Sequence, residues 1–389
     1  MGYLLFFSSH FGHRKVLDRV QSAVAAGLEV NLICYDRLSV GDSRDELVKL
    51  CKSINIIGNP RDGGNLFRIV YWFNAFAKYL LVLRNNGLPA AVLANNGEFL
   101  IFSSFLYFGS AKKFFDFADV HPIQYKLGLK SKLYRFLERL ALYRNWKIIV
   151  TSPWFYWNYF LDIQNSPSEV RLIENKLSEQ EFTSLELISP RNPSRNGPIN
   201  IGWTGILRCS TSLKLLVDLC QKYPGKYNVF LIGIIGNINS EIVDEARRCP
   251  FIYFKGKYLE SNLGRMLDEV DYVWAADFDD GLNSKLLLPN RLYQAIAGKR
   301  PVIAFSDSAT GKVTAHFGIG PRFDIASAAE LNDRISLVDE RLYLAYCEAE
   351  VNLRERMVRK NEFIDLFTMN NLVENNLPPI EDFNFVLVV

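Results

Sequence analysis

The sequence predicts an α/β protein built of two doubly wound, parallel-sheet domains. Three observations carry the prediction. Short apolar runs alternate with amphipathic, helix-forming segments, which is the rhythm of βαβ units. A stretch of turn formers, Ser189-Pro190-Arg191-Asn192-Pro193-Ser194-Arg195-Asn196-Gly197-Pro198, interrupts that rhythm, which then begins again. The length, 389 residues, exceeds the roughly 100–200 residues of one ordinary core.

In the first half, residues 4–8 form a buried strand leading into the loop Ser9-His10-Phe11-Gly12-His13. Val16, Val20, Ala23 and Val24 then mark one face of a helix that Gly27 stops. Positions 30–35 and 53–57 are further strands. So are 91–95 and 113–117, the last opening onto Ala118-Asp119-Val120-His121-Pro122. After the break, strands are expected over 199–203, 227–232, 252–254, 272–275 and 301–305. Helices are expected over 213–223, 241–248, 259–269 and 289–297. The domains that follow are 1–187 and 199–360, joined by a linker over 188–198, with a tail over 361–389 expected to pack back on the first domain. Two such domains place a central cleft at the carboxyl ends of both sheets, where doubly wound folds bind ligands.

Composition narrows the function. Forty-five Lys and Arg against 42 Asp and Glu leave a net charge of +3, which excludes a broadly basic nucleic-acid binder. Cys34, Cys51, Cys209, Cys220, Cys249 and Cys347 are scattered without a C-x-x-C pair or a histidine at ligand spacing. Neither a disulfide framework nor a zinc site is expected, and the pattern favours the cytoplasm. Met1-Gly2-Tyr3-Leu4-Leu5-Phe6-Phe7 lacks the basic region and cleavage site of a signal peptide. The longest apolar run, 99–111, is broken by Ser103, Ser104 and Gly109 and falls short of the ~20 residues that cross a bilayer.

The most informative stretch runs from Asp271 to Ile303. It reads as a strand, the polar loop Asp277-Phe278-Asp279-Asp280-Gly281-Leu282-Asn283-Ser284, a helix that Pro289 opens and Gly298 closes, and another strand. A helix N-terminus favours an anion, and Arg291 in the first turn offers a forked cation for a phosphate. The competing reading makes Arg291 a solvated charge of an ordinary αβ unit.

Asn290-Arg291-Leu292-Tyr293-Gln294-Ala295-Ile296-Ala297-Gly298-Lys299-Arg300-Pro301-Val302-Ile303, with Phe254-Lys255-Gly256-Lys257-Tyr258 and Ile201-Gly202-Trp203-Thr204-Gly205, resembles the group-one glycosyltransferases. These are retaining, nucleotide-sugar-dependent enzymes of bacterial polysaccharide biosynthesis with the GT-B fold, two Rossmann-like domains facing a cleft. The His10 loop and Asp116-Phe117-Ala118-Asp119-Val120-His121 resemble their acceptor-side domain. The resemblance implies a nucleotide-sugar donor in the second domain, bound by Arg208, Asn283, Asn290, Arg291 and Gln294. It also implies catalysis without a metal, and no cofactor beyond the donor substrate.

There are departures. The family carries one glutamate in the loop and another on the following helix that holds the ribose. Here the helix position is Gln294, and the loop offers Asp279, Asp280 and Asn283. Gln still bonds a ribose hydroxyl, without the strength of a charge-assisted bond. The family's arginine and lysine for the diphosphate are not at their usual spacing. Arg208 and Lys214 are the nearest substitutes, and Arg208 is the better placed because it lies in the loop 205–212.

Asp119 and His121, two residues apart at a strand end, suit a general base and its orienter, or a pair of sugar ligands. Alternatively, Asp119 caps the next segment and His121-Pro122 is a turn. In an inverting reaction Asp119 is the base; in a retaining one the departing phosphate can deprotonate the acceptor. His10 and His13 lack a third ligand and read as acceptor-side contacts, not a metal site. The lone Gly318-Ile319-Gly320 after His316 carries little weight.

Between 126 and 147 seven basic residues, Lys126, Lys130, Lys132, Arg135, Arg139, Arg144 and Lys147, face one acid, Glu138, a balance of +6. Leu133, Phe136, Leu137 and Leu140 fall at helical spacing, so the segment suits an anionic membrane surface. Arg68, Lys78 and Arg84, interleaved with Phe67, Tyr71, Trp72, Phe73, Phe76 and Tyr79, form a second such stretch. In the competing reading both apolar stripes pack on the sheet.

The expectation is a cytoplasmic glycosyltransferase, peripheral to the inner membrane, that moves a sugar to a glycan or lipid-linked glycan acceptor, with no nucleic-acid partner. One alternative is a non-hydrolysing sugar-nucleotide epimerase, which needs more converging carboxylates and histidines than this chain offers. The other is a catalytically silent glycan-assembly component, suggested by Gln294.

Overall fold

A computed structural model describes residues 2–36, 43–59, 68–166, 169–186, 188–191, 197–359 and 361–368. Phe67, residues 192–196 of the expected linker and the tail beyond Thr368 lie outside them. The chain divides into two compact units. Of the described residues, the first takes those up to Ile173 together with Asn361–Thr368, and the second begins at Glu174.

The first unit runs β1 (Tyr3–Ser8), α1 (Arg14–Ala25), β2 (Glu29–Tyr35), α2 (Arg44–Leu50), β3 (Ser53–Gly58), α3 (Arg68–Asn86), β4 (Ala91–Asn95) and α4 (Gly97–Ser104). There follow β5 (Lys112–Phe117), α5 (Pro122–Tyr125), α6 (Leu129–Leu142), β6 (Lys147–Val150), α7 (Pro153–Phe155), a π-helical turn (Tyr156–Leu161) and β7 (Val170–Leu172). Its sheet has the order β3-β2-β1-β4-β5-β6-β7 with parallel pairs throughout. Helices cover both faces of such a sheet, so its central strands are buried along their length. Leu4, Leu5, Phe6 and Phe7 are all buried. The order reverses between β1 and β4, which opens a crevice at their carboxyl ends.

Two strands of this unit go beyond the sequence reading. β6 begins at Lys147, whose charge belonged to the basic stretch; it pairs with Glu169 at 2.8 Å. β7 is a three-residue strand at the sheet edge. The basic helix is correspondingly shorter than its charge run. Gly128 at φ 133 precedes it and Asn145 at φ 60 follows it, so helix covers only Leu129–Leu142.

The second unit runs α8 (Glu179–Glu186), β8 (Ile199–Leu207), α9 (Ser210–Lys222), β9 (Tyr227–Ile235), α10 (Ser240–Arg248), β10 (Ile252–Gly256), α11 (Leu263–Asp268) and β11 (Tyr272–Trp274). It continues with α12 (Leu282–Leu286), α13 (Asn290–Ala297), β12 (Val302–Phe305), α14 (Ala309–Phe317), β13 (Arg322–Phe323), α15 (Ala328–Ser336) and α16 (Glu340–Leu353). The sheet order is β10-β9-β8-β11-β12-β13, again parallel, and it reverses between β8 and β11. Its core gathers Trp203, Leu216, Leu231, Trp274, Ile303, Phe323 and Tyr343.

The last described helix, α17 (Glu362–Thr368), returns to the first unit. Its Phe363 ring lies 3.6 Å from the Arg19 guanidinium, which is itself paired with buried Asp116 at 2.9 Å. Phe367 meets Phe114 edge-on.

Candidate functional site

Each sheet has one crevice, and the residues singled out in the sequence collect at both. In the second unit β8 ends at Leu207 and delivers Arg208, while β11 ends at Trp274 and delivers the polar loop. The Arg208 guanidinium lies 3.5 Å from Asp280, with both side chains half-exposed. Asp280 accepts from the Asn283 side-chain amide at 2.7 Å, and its backbone N–H donates to Ser284 Oγ at 2.9 Å. The Ser284 hydroxyl donates to Asp277 at 2.7 Å. Gly281, at φ 56, makes the turn into α12 that few other residues adopt without strain.

Asp279 has a different task. It accepts from the Ser210 and Thr211 backbone amides and, at 2.6 Å, from the Thr211 hydroxyl. That places an anion on the first turn of α9, where the helix dipole favours it. The loop is therefore fixed by bonds to α9 as well as within itself.

Arg291 is buried. Burial of seven of the eight residues of α13 takes it under the loop, where it donates to the Ala276 carbonyl at 3.3 Å and lies 3.6 Å from Asp277. Its guanidinium also faces the Trp203 ring at 5.9 Å. Burial pulls its pKa down and Asp277 opposes that pull. Asn290, in contrast, is exposed at the first helical position, and no side chain caps the helix start at Pro289.

Gln294 is buried and oriented from both sides. Its carbonyl oxygen accepts from the Thr204 hydroxyl at 2.8 Å, and its amide donates to the Tyr258 hydroxyl at 3.4 Å. Thr204, Tyr258, Asp277 and Ser284 are members of this site that sequence reasoning did not assign.

In the first unit His10, His13, Asp119 and His121 share the carboxyl edge of the sheet. Ser9 Oγ lies 2.8 Å from His10 Nδ1, and the His10 and His13 rings are 5.7 Å apart. His13 Nδ1 accepts from the Lys15 amide at 3.2 Å and caps α1. Burial, with Lys15, lowers the His13 pKa, while the charge of Asp119 acts in the opposite direction. Asp119 is thus close enough to be felt at His13. His121 caps α5: its backbone N–H donates to Gln124 Oε1 at 2.7 Å, and its Nδ1 faces the Ile123 amide at 3.5 Å. The ring is nonetheless exposed, so His121 is both a turn residue and a surface group.

Two further residues of this edge were not foreseen. Asn96 sits at φ 98, ψ 159, a conformation almost reserved for glycine, and its side chain accepts from the Phe99 amide. Glu98 accepts from the Tyr35 hydroxyl at 2.8 Å and the Trp72 indole at 3.2 Å. The signal was Asn95-Asn96-Gly97 directly after an apolar strand, since Asn and Gly tolerate positive φ. Among the described residues no three His, Cys, Asp or Glu side chains group to hold a metal.

The first unit also carries an apolar, basic face. Leu133, Phe136 and Leu140 of α6 are 57%, 55% and 48% exposed, and the buried side of the helix is Ser131, Glu138, Ala141 and Leu142. Phe73, Phe76 and Leu80 of α3 are exposed, as are Phe105 and Tyr107 after α4. These surfaces are tied together through α4: Trp72 packs on Phe102, the Tyr79 hydroxyl donates to the Tyr107 carbonyl, and Arg144 donates to the Ser104 carbonyl at 2.7 Å. Lys126, Lys130 and Lys132 are exposed. Arg135 instead donates to the carbonyls of Gln124 and Lys126, and Arg139 to that of Ile163. No described helix is long and apolar enough to cross a membrane.

No protein-family model matches the chain. Among curated proteins it is similar to the succinoglycan biosynthesis protein ExoL of Rhizobium meliloti (strain 1021), 28% identical over 330 residues that span 82% of this chain and 80% of that protein. Among solved structures, sucrose-phosphate synthase of Thermosynechococcus elongatus superposes with a TM-score of 0.69 at 14% identity, over 93% of this chain and 96% of that one. HepE of Anabaena in complex with UDP superposes with a TM-score of 0.65 at 13% identity, over 94% and 97% of the two chains; it has also been solved with UDP-glucose.

Proposed function

We propose that this chain, which has the GT-B fold of the nucleotide-sugar glycosyltransferases, moves a sugar from a nucleotide-sugar donor to a glycan or lipid-linked glycan acceptor in the assembly of a bacterial surface polysaccharide. The observation that carries this reading is the likeness to a succinoglycan biosynthesis protein along most of both chains. UDP and UDP-glucose in the HepE crystals point to the same class of donor.

In this reading the second unit holds the donor. Gln294 meets the ribose, and Arg208, Asn283, Asn290 and the uncapped first amides of α13 meet the diphosphate. Charge that develops on the leaving diphosphate is stabilised by fixed dipoles and Arg208, with no metal ion required. Arg291 works from beneath, as the buried cation against which the Asp277–Ser284 loop is set. In the first unit His10 and His13 bind the acceptor, and Asp119 and His121 serve catalysis. Asp119 takes the acceptor proton if configuration inverts; if it is retained, the departing phosphate takes it.

The same reading places the protein in the cytoplasm, docked on the inner membrane. Exposed aromatics and leucines on α3, α6 and the 105–107 segment enter the lipid interface while Lys126, Lys130 and Lys132 meet anionic headgroups. Calorimetric titration with a panel of nucleoside diphosphates and their sugars tests the donor assignment. At least one should bind to the full chain; a chain that binds none of them contradicts it.

A further inference from the structure

Glu138 is the single acid of α6, and it is completely buried. Its Oε1 accepts from the Gln124 side-chain amide at 2.8 Å, and its Oε2 accepts from the Tyr159 hydroxyl and the Gln164 amide. Gln124 carries the link onward, because its own carbonyl oxygen accepts from the His121 backbone N–H at 2.7 Å. On the other side the carboxylate abuts the start of α4. A Cβ at Gly97 would lie 2.7 Å from Glu138 Oε1 and would collide with the Tyr134 hydroxyl. Only a glycine lets the strained Asn96 turn approach this closely. One carboxylate therefore ties together α6, the His121 turn, the Asn96 turn and the π-helical turn that supplies Tyr159. Insertions of the π-helical kind are frequent at functional sites.

We propose that Glu138 is a positioning residue: it locks the two turns that carry Asn96, Asp119 and His121 onto the membrane-facing helix α6. The proposal rests on the assignment of this edge to the acceptor. Glu138 touches no substrate and acts through Gln124 and the backbone of Gly97. The groups facing it are Tyr134 and Arg135 from α6, Gln124 from α5, Tyr159 from the π-helical turn and Gln164 beyond it. Burial pushes the carboxyl up to about 7 against the pull of its Tyr159, Gln124 and Gln164 hydrogen bonds and of Arg135. Tyr159, held well above its ordinary value by burial and by Glu138, stays protonated and donates. As a carboxylate, Glu138 accepts from all three donors. A proton on it converts one acceptor position into a donor and breaks a link, so turnover should rise as pH passes about 7.

The test uses the full chain and two readouts. In a transfer assay Glu138→Gln, which keeps the shape but carries an amide, should lower turnover by about 10- to 100-fold, the scale of a small misplacement of catalytic groups. It should leave the donor KM unchanged and flatten the rise in rate near neutral pH. Gln124→Leu should cost the same, and the double variant no more than either single one, because both break one link. The second readout needs no substrate. In spectra of histidine-labelled protein both variants should shift the His121 imidazole and leave His316 in place. Wild-type turnover, pH profile and His121 resonances in both variants would overturn the proposal. If the wild type transfers no sugar at all, the functional assignment fails, and an unmoved His121 resonance still decides against the link.

Discussion

Arg208 reaches solvent beside Asp280, whereas Arg291 lies under the same loop against Asp277 and the Ala276 carbonyl. Their truncations should therefore part company. Arg208→Ala should weaken nucleoside diphosphate binding by roughly 1.5–3 kcal/mol, the worth of a hydrogen bond to a charged group, with little change in melting temperature. Unchanged affinity by calorimetry removes Arg208 from the site. Arg291→Ala leaves Asp277 buried without its cation and should cost stability by roughly 3 kcal/mol. Gln294→Glu should keep or strengthen nucleotide binding, since Thr204 and Tyr258 can both donate to a carboxylate. Gln294 was singled out in the sequence by the resemblance of its helix to the glycosyltransferase family. Its partner Thr204 was not, because it stands 90 residues away and leaves no local pattern. Glu138 adds a pH signature to stability. Its folded value, about 7, lies above the ordinary 4.5, so the folded state holds the proton more tightly than the unfolded chain. That contribution is complete below pH 4.5 and is lost as pH rises to about 7. Wild-type melting temperature should accordingly fall across this interval relative to Glu138→Gln; parallel curves would place the carboxyl's titration elsewhere.

At the scale of the element, α6 shows what periodicity does and does not specify. The spacing of Leu133, Phe136 and Leu140 marked a helix, and a helix stands there. Spacing gives a stripe but not the direction in which it points. The stripe faces outward because the inward side is given to the Glu138 network and the small residues Ser131 and Ala141. Arg135 and Arg139 are engaged with backbone carbonyls, so the membrane test belongs to the exposed lysines. Replacing Lys126, Lys130 and Lys132 by Gln should remove roughly 3 kcal/mol of attraction to anionic lipid, about 1 kcal/mol each. Sedimentation with anionic liposomes should be lost and should weaken with salt. Leu133→Ser with Phe136→Ser should reduce binding without lowering the melting temperature, since neither side chain is in the core. Equal binding of all variants to neutral and anionic liposomes would leave this face without a lipid role.

For the whole molecule, alternating strands and helices were enough to foresee two parallel sheets, because each apolar run is covered on both faces. The order of strands within each sheet was not legible, since it is set by long-range pairing such as β1 with β4 and β8 with β11. That order nevertheless decides which loops form each site. With the donor proposed for one unit and the acceptor for the other, variants should separate along the same line. Asp119→Asn and His121→Ala should lower turnover while nucleotide affinity stays at the wild-type value, the reverse of the Arg208 pattern. If both retain full turnover, the pair is structural.

Sugar transfer itself is the most direct measurement of the proposed function. The full chain is incubated with a panel of radiolabelled nucleotide sugars, UDP-glucose among them, and with acceptor-bearing bacterial membranes. Label from one donor should enter the glycan or lipid-linked fraction, with release of one nucleoside diphosphate per sugar transferred. A donor returned as its epimer, or bound by the chain with its label never leaving the nucleotide, would contradict that function.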